Sequence, residues 1–344
     1  MIQIMTDNQC MESTSVIKIT SRDRITELDV LRGLAAIMVV FYHYTVGFET
    51  GKDSYIPYGV LAVNLFFIIS GFVIFMTLSK TKTATDFIVS RFSRLYPVFW
   101  AAVLITQTVV WLNPLPEHTY SWFVAFVNLS MIAGPLNYSW VDSVYWSLVV
   151  ELMFYCIMVL LFVAGMLQHI TKIVIPWLLL QIGVFLISSH YNHPIPQLIS
   201  ILFLLKYAHL FLAGILFYKI RTDGVTLSLQ YLLMCCLITQ FVIKGLIGGV
   251  FGVVFFALFY LLSINRLKWI TFRPLLFLGT ISYSLYLVHQ NIGFVIMRAL
   301  SSYSRITQML AAFFIVMILS TLLTFLIEQP SLKAIRKLYK KHQN

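Results

Sequence analysis

The apolar residues of this chain come in long unbroken runs, without the period-2 alternation or one-sided 3.6-residue stripe of elements that face water. A bilayer crossing needs roughly 20 apolar residues. On that measure the runs predict helices over 28–48, 56–78, 95–112, 144–167, 171–189, 197–218, 225–243, 246–263, 275–297 and 308–327, ten crossings of an all-α polytopic bundle. The apolar stretch from Trp122 to Ala133 is too short to span and predicts a re-entrant or interfacial helix. The first 27 residues are polar and lack an apolar h-region, so they read as a cytoplasmic N-terminal segment, not a cleaved signal peptide. A transmembrane domain over 28–330 and a basic cytoplasmic tail over 331–344 complete the expected organisation.

Composition agrees with this pattern. Of 344 residues 60% are hydrophobic and 11% charged, against about 25% charged in a soluble domain, so too little polar side chain exists to clothe a water-facing surface. The 16 Gly and 10 Pro exclude a collagen-like or low-complexity chain. A net charge of +11 raises nucleic acid as a partner, but the cations sit in short segments between apolar runs, not on a solvated basic face. No nucleic acid is expected. Nineteen of the 24 Lys and Arg fall on the side of the termini, among them Arg32, Arg91, Arg94, Arg221, Arg273 and Lys333, whereas Lys52, Lys244, Arg298 and Arg305 fall on the other and Lys206 lies within a span. Both ends are therefore expected in the cytoplasm. The loop over 113–143 carries Glu117 and Asp142 and no cation, as an external loop would. Cys10, Cys156, Cys235 and Cys236 form no CxxC, and neither a disulfide framework nor a metal site is expected.

Titratable groups inside an apolar run cost roughly 2.5–3.5 kcal/mol each on insertion scales, which makes them functional candidates. Arg32 and His43 are 11 residues apart, about three turns plus 20°, so they share a helix face with about 16 Å of rise between them, the reach of an extended pantetheine arm. Either this pair is functional, or the Arg is interfacial and the His a satisfied core residue. Counted from the helix ends, His43, Glu151 and His289 lie about 20–22 Å from the cytoplasmic edge, which suggests one common site with a carboxylate beside imidazole. Arg91 and Arg94, spaced i, i+3 with Pro97 near an expected helix start, suit a phosphate or serve only as orientation charges. Lys206 and His209 suit a snorkelling Lys and a satisfied His as well as they suit a function.

Several segments together resemble the acyltransferase 3 family of integral membrane acyltransferases. They are Arg32 to His43 (R-x10-H), Phe66-Phe67-Ile68-Ile69-Ser70-Gly71-Phe72, Arg91 to Pro97 (RxxRxxP), Trp146-Ser147-Leu148 through Glu151, Phe154 and Tyr155, Ser282-Tyr283-Ser284-Leu285-Tyr286-Leu287-Val288-His289, and the closing Glu328-Gln329-Pro330. One departure is Asn64, where many members carry Asp before the double Phe, so no catalytic role is assigned there. Fourteen residues follow Pro330, so an appended SGNH hydrolase-like domain is not expected.

The resemblance implies a multi-pass inner-membrane O-acyltransferase, most simply an O-acetyltransferase. Its donor would be cytoplasmic acyl-CoA, acetyl-CoA foremost, and no cofactor would be permanently bound. Its acceptor would be a hydroxyl of a cell-surface glycan or its lipid-linked precursor, such as lipopolysaccharide O-antigen. It implies donor binding by Arg32, Arg91, Arg94, Ser70 and Gly71, the last two leaving room for the pantetheine arm. Catalysis would fall to His43 as general base with Glu151 orienting it or holding the sugar, and an acetyl-histidine relay is equally open. Trp146, Ser147, Tyr283, Tyr286 and His289 are secondary candidates. A secondary transporter, an acyl-sugar flippase or a structural subunit are the alternatives, although paired interrupted helices are not evident, Gly245 to Gly249 coming closest.

Overall fold

The computed structural model describes residues 25–46, 58–115 and 119–341; Cys10, Lys52, Glu117 and nearly all of the N-terminal segment lie outside the described residues. Among the described residues there is no strand. The helices are α1 (Thr26–Val46), α2 (Ala62–Leu78), α3 (Ala84–Leu112), α4 (Trp122–Asn128), α5 (Trp146–Val163), α6 (Ile170–Tyr191), α7 (Gln197–Leu202), α8 (Ala208–Asp223), α9 (Leu227–Ser263), α10 (Arg273–Val288), α11 (Gln290–Ala299), α12 (Arg305–Leu323) and α13 (Gln329–Lys341), with a π-helical turn Thr324–Glu328 before α13. Seven of the described helical segments are long and apolar enough to cross a membrane. The outer faces carry Trp111, Leu160, Leu179 and Phe314 exposed, which water would penalise and hydrocarbon accepts. The chain is an all-α polytopic membrane protein.

Three helical stretches are interrupted, two of them expected as continuous helices. The 197–218 run divides into α7 and α8, because Leu204 takes a left-handed backbone (φ 52°) and its carbonyl accepts the Ala208 N–H at 2.8 Å. Lys206 therefore sits exposed in the connecting turn, not within a span. In α9, Gly245 has φ 67° and ψ −170°, values open to glycine and costly for residues with a Cβ. Beyond it Gln240 Nε2 donates to the Gly248 carbonyl at 2.8 Å, and a Cβ on Gly252 would lie 2.8 Å from Gln240 Cγ and 3.4 Å from Leu237 Cδ1. A straight helix would hold residues 240 and 252 about 18 Å apart. So 227–244 and 246–263 are two limbs of a tight hairpin, matching the two runs expected there. The third interruption falls at His289, between α10 and α11. Interrupted helices were the feature not evident in the sequence.

Helix α3 begins well before the expected 95. Thr83 is its cap: Oγ1 accepts the Asp86 N–H at 3.2 Å and donates to the Asp86 carboxylate at 2.7 Å, a reciprocal arrangement that fixes the first turn. Arg91 and Arg94 accordingly lie inside the helix, and Pro97 is an interior residue, not a start signal.

Small residues bring the helices that carry the site together. A Cβ on Gly33 would meet Gly279 N at 2.7 Å and one on Gly279 would meet Asp29 O at 2.1 Å, so α1 and α10 touch backbone to backbone. In the same way Gly71 faces Phe211 O (2.0 Å to a built Cβ) and Gly214 faces Ile68 O (2.1 Å), locking α2 onto α8. Gly71 is thus a helix-packing residue. The expectation that it leaves room on a donor path is corrected, because that space is already filled by the α8 backbone.

Candidate active site

Between α1, α2, α3, α5 and α10 lies a small chamber of about 80 Å³, lined by Arg32, Arg91, Arg94, Ser70, Glu151 and Tyr155 together with Phe66, Phe67, Ser147, Tyr283 and Tyr286. A second cavity of about 350 Å³ shares Arg32 and Arg94 with it and is bounded by Asp29, Thr324 and Glu328. The two guanidinium groups stand at the junction of the two spaces. Arg91 Nη2 donates to Thr77 Oγ1 at 3.2 Å, its guanidinium carbon lies 5.5 Å from the Phe87 ring centroid, and its buried Nε has no hydrogen-bond partner. Arg32 Nη1 is 3.7 Å from Asp29 one turn before it. A buried donor left unmade is costly, so the chamber is shaped for an acceptor-rich group.

Glu151 is the chamber's carboxylate. Its Oε1 accepts the hydroxyl of Ser70 from α2 and that of Tyr155, one turn on in α5, at 2.5 Å. The Tyr283 hydroxyl donates to the Leu95 carbonyl of α3 at 3.2 Å. Tyr286 forms the wall toward α1: its hydroxyl donates to the Val144 carbonyl at 3.1 Å and lies 2.6 Å from the Ser147 hydroxyl.

Behind Tyr286, whose ring centroid is 5.8 Å from that of His289, two histidines meet. His43 Nδ1 is 3.0 Å from His289 Nε2, and His289 Nδ1 is 2.9 Å from the Tyr286 carbonyl oxygen. A carbonyl only accepts, so His289 Nδ1 carries the proton and, in the neutral ring, Nε2 presents a lone pair. His43 Nδ1–H then donates to it. The remaining nitrogen, His43 Nε2, is left as a base.

The break in the helix at His289 is held by the segment before α5. Tyr44 and Tyr145 donate their hydroxyls to the carbonyls of His289 (3.0 Å) and Leu287 (3.2 Å). Asp142, fully buried, accepts the Asn291 N–H at 3.1 Å and the Val144 N–H at 3.3 Å, thereby capping α11. Burial pushes the Asp142 carboxyl up to about 7, while those two N–H groups pull the other way.

The structure therefore brings His43 to His289 as one pair, and Arg32, Arg91, Arg94, Ser70, Glu151, Ser147, Tyr283 and Tyr286 to one chamber. It does not bring Glu151 to His43. The expected carboxylate–imidazole contact is corrected: Glu151 is engaged by Ser70 and Tyr155, and the partner of His43 is the second histidine. Trp146 lies outside the chamber and packs its ring on Phe67 at 6.2 Å. Asp142 entered the sequence reading as an orientation charge and Glu328 as the end of a motif, yet Asp142 caps the broken helix. Glu328 accepts Ser284 Oγ at 3.1 Å beside the larger cavity.

A buried imidazole pair beside a chamber lined by three arginines is an arrangement that can hold an anionic group and offer a base. A family model described as an acyltransferase domain matches residues 25–329, nearly the whole chain, and the protein belongs to this acyltransferase 3 family of membrane acyltransferases. It is also similar to "Protein 2 in picA locus" of Rhizobium radiobacter, 39% identical over 88 residues, which are 24% of this chain and 44% of that protein. No solved structure matches it significantly.

Proposed function

We propose that this acyltransferase is a membrane O-acyltransferase, in its simplest form an O-acetyltransferase. It crosses the bacterial inner membrane ten times with both termini in the cytoplasm, counting α10 and α11 as one crossing and each limb of α9 as another. Acyl-CoA enters from the cytoplasm, and the acceptor is a hydroxyl of an external glycan or its lipid-linked precursor, of which O-antigen is one form. The larger cavity at Arg32, Arg94 and Glu328 receives the coenzyme, its phosphates meeting guanidinium groups, which bind such anions bidentately. The narrow chamber then admits the pantetheine arm past Ser70.

The single observation that carries the reading is the His43–His289–Tyr286 carbonyl chain, which leaves His43 Nε2 unprotonated. In the reaction the acceptor O–H gives its proton to His43 Nε2 while its oxygen bonds to the thioester carbonyl carbon. The C–S bond then breaks, and the leaving thiolate takes the proton from the imidazolium to give free coenzyme A and the ester. His289 accepts from Nδ1–H throughout and steadies the imidazolium. Tyr286, pinned by Ser147 and Val144, stands between thioester and base, so its displacement admits the acyl group.

Incubating purified protein in proteoliposomes with acetyl-CoA and an acceptor glycan should release coenzyme A and add one acetyl mass per modified hydroxyl. Mass spectrometry of surface glycans with and without the gene should show the same change in cells. Passage of acyl-sugar across the vesicle without release of coenzyme A would overturn the reading in favour of transport.

A further inference from the structure

A third cavity, of about 250 Å³, lies on the far side of α5 from the arginine chamber and belongs to neither donor space. Its walls are Trp140, Trp146, Tyr207, Lys206, Gln197 and Ser200, with Ile195 and Leu204 among the remainder. The Trp146 and Tyr207 rings are 5.5 Å apart and tilted by 33°, two apolar faces set side by side. Lys244, at the tip of the α9 hairpin, stands over the Tyr207 ring at 4.9 Å, and Lys206 precedes that tyrosine in the chain. Neither lysine is paired with a carboxylate among the described residues. One cation and two aromatic rings thus line one half-open space, and a second cation, Lys244, stands over one of those rings.

Its position relative to the reaction is set by Phe67. This ring, 2% exposed, lines the arginine chamber and packs against both Tyr207 (4.7 Å) and Trp146 (6.2 Å). One phenyl ring separates the cavity from the site where the thioester is placed. In sequence the same wall is Trp146 facing one space and Ser147 lining the other.

A pyranose carries an apolar C–H face that suits an aromatic platform and a polar rim that suits Gln197 and Ser200. An anion on that sugar would meet the two ammonium groups, which a neutral sugar leaves unpaired. We infer that this cavity is the acceptor subsite and that it selects an anionic pyranose, a sugar bearing a carboxylate or a phosphate. The inference rests on the acyltransferase reading for its meaning in catalysis, though not for the binding itself.

The test is binding to the full chain in nanodiscs, by calorimetry or saturation-transfer NMR. The probes are methyl glucoside, glucuronic acid, glucose 1-phosphate and inorganic phosphate, with coenzyme A titrated in parallel. At least one of the two anionic sugars should bind about tenfold or more tighter than methyl glucoside and than inorganic phosphate. Preference for the uronate assigns an acidic glycan, and preference for the sugar phosphate assigns a phosphate-linked one. The double variant Lys206→Gln, Lys244→Gln should erase that preference, and Tyr207→Leu should weaken both kinds of sugar. Equal binding of neutral and anionic sugars, inorganic phosphate binding as tightly as the sugar phosphate, or a preference that survives the double variant would each overturn the assignment. Failure of coenzyme A alone to bind sinks the acyltransferase mechanism and leaves the sugar result standing.

Discussion

His209 and His289 are both fully buried in this bundle and each uses both ring nitrogens, but His289 spends one of them on a second imidazole, that of the half-buried His43. At His209 every polar atom is used. Gln181 Nε2 donates to Nδ1 at 2.9 Å, Nε2–H donates to Gln240 Oε1 at 2.6 Å, and the backbone N–H donates to Gln181 Oε1 at 3.2 Å. Gln240 in turn holds the second limb of α9 through the Gly248 carbonyl. At the other pair three of four ring nitrogens are accounted for, and His43 Nε2 is the remainder. The count of satisfied ring nitrogens separates the half-buried His43, with one nitrogen left over, from the fully engaged His209.

The comparison is broken most severely at His43. Replacing His43 with Ala should lower acyl transfer by about 10³-fold or more, the usual worth of a positioned base, while coenzyme A still binds. Retention of near wild-type turnover would refute the assignment of the base. His289 acts through His43, so His289→Ala should cost about 10²-fold in kcat with little change in donor KM. His289→Gln, whose Oε1 can accept from His43 Nδ1–H, should recover part of the loss and shift the pH–rate profile. A purely structural role would leave that profile unmoved.

Much of this difference was legible in the residues before any coordinates. Apolar runs marked the helices, because lipid demands continuous apolar length, and the levels of His43 and His289 were readable from helical rise. Glu151 was counted to the same depth, but a depth count does not fix a contact: α5 sets Glu151 against Ser70 and Tyr155 in the arginine chamber, not beside His43. Hydropathy was also blind to the breaks at Leu204 and His289, since a kink is decided by backbone angles and by partners distant in sequence, such as Asp142 for Asn291. Gly245 was visible as a glycine, whereas the hairpin it permits depends on Gln240 reaching Gly248.

Smaller effects sharpen the contrast. Arg91→Lys and Arg94→Lys keep the charge and lose the planar fork, so each should raise the apparent Kd for acyl-CoA by about tenfold; an unchanged donor titration would reduce both to orientation charges. His209→Ala should behave in the opposite way. It orphans the Gln181 and Gln240 amides in the core, at a cost of about 3 kcal/mol, and should lower thermal stability in detergent while the folded fraction keeps its kcat. Loss of kcat in the folded fraction would place His209 in the chemistry.

The smallest effect on stability is expected at Asp142, which tests whether the cap of α11 is sensed through protonation. Its carboxyl is held up near 7 by burial, against an ordinary value of 3.8. A raised acid pKa in the folded state means that the native protein retains a proton which the unfolded chain has already lost between those values. The stability that this proton contributes is fully present below about 3.8 and is lost as pH rises through about 7. Asp142→Asn removes the titration and keeps one side-chain oxygen for the Asn291 N–H of α11. The melting temperature of the wild-type protein should therefore fall relative to Asp142→Asn between pH 5 and pH 7, and the gap should level off above pH 8. Over that interval the difference amounts to about 2 kcal/mol, at up to about 1.4 kcal/mol per pH unit. Parallel melting curves across the range would mean that the carboxyl is ionised throughout and that its two N–H bonds outweigh its burial.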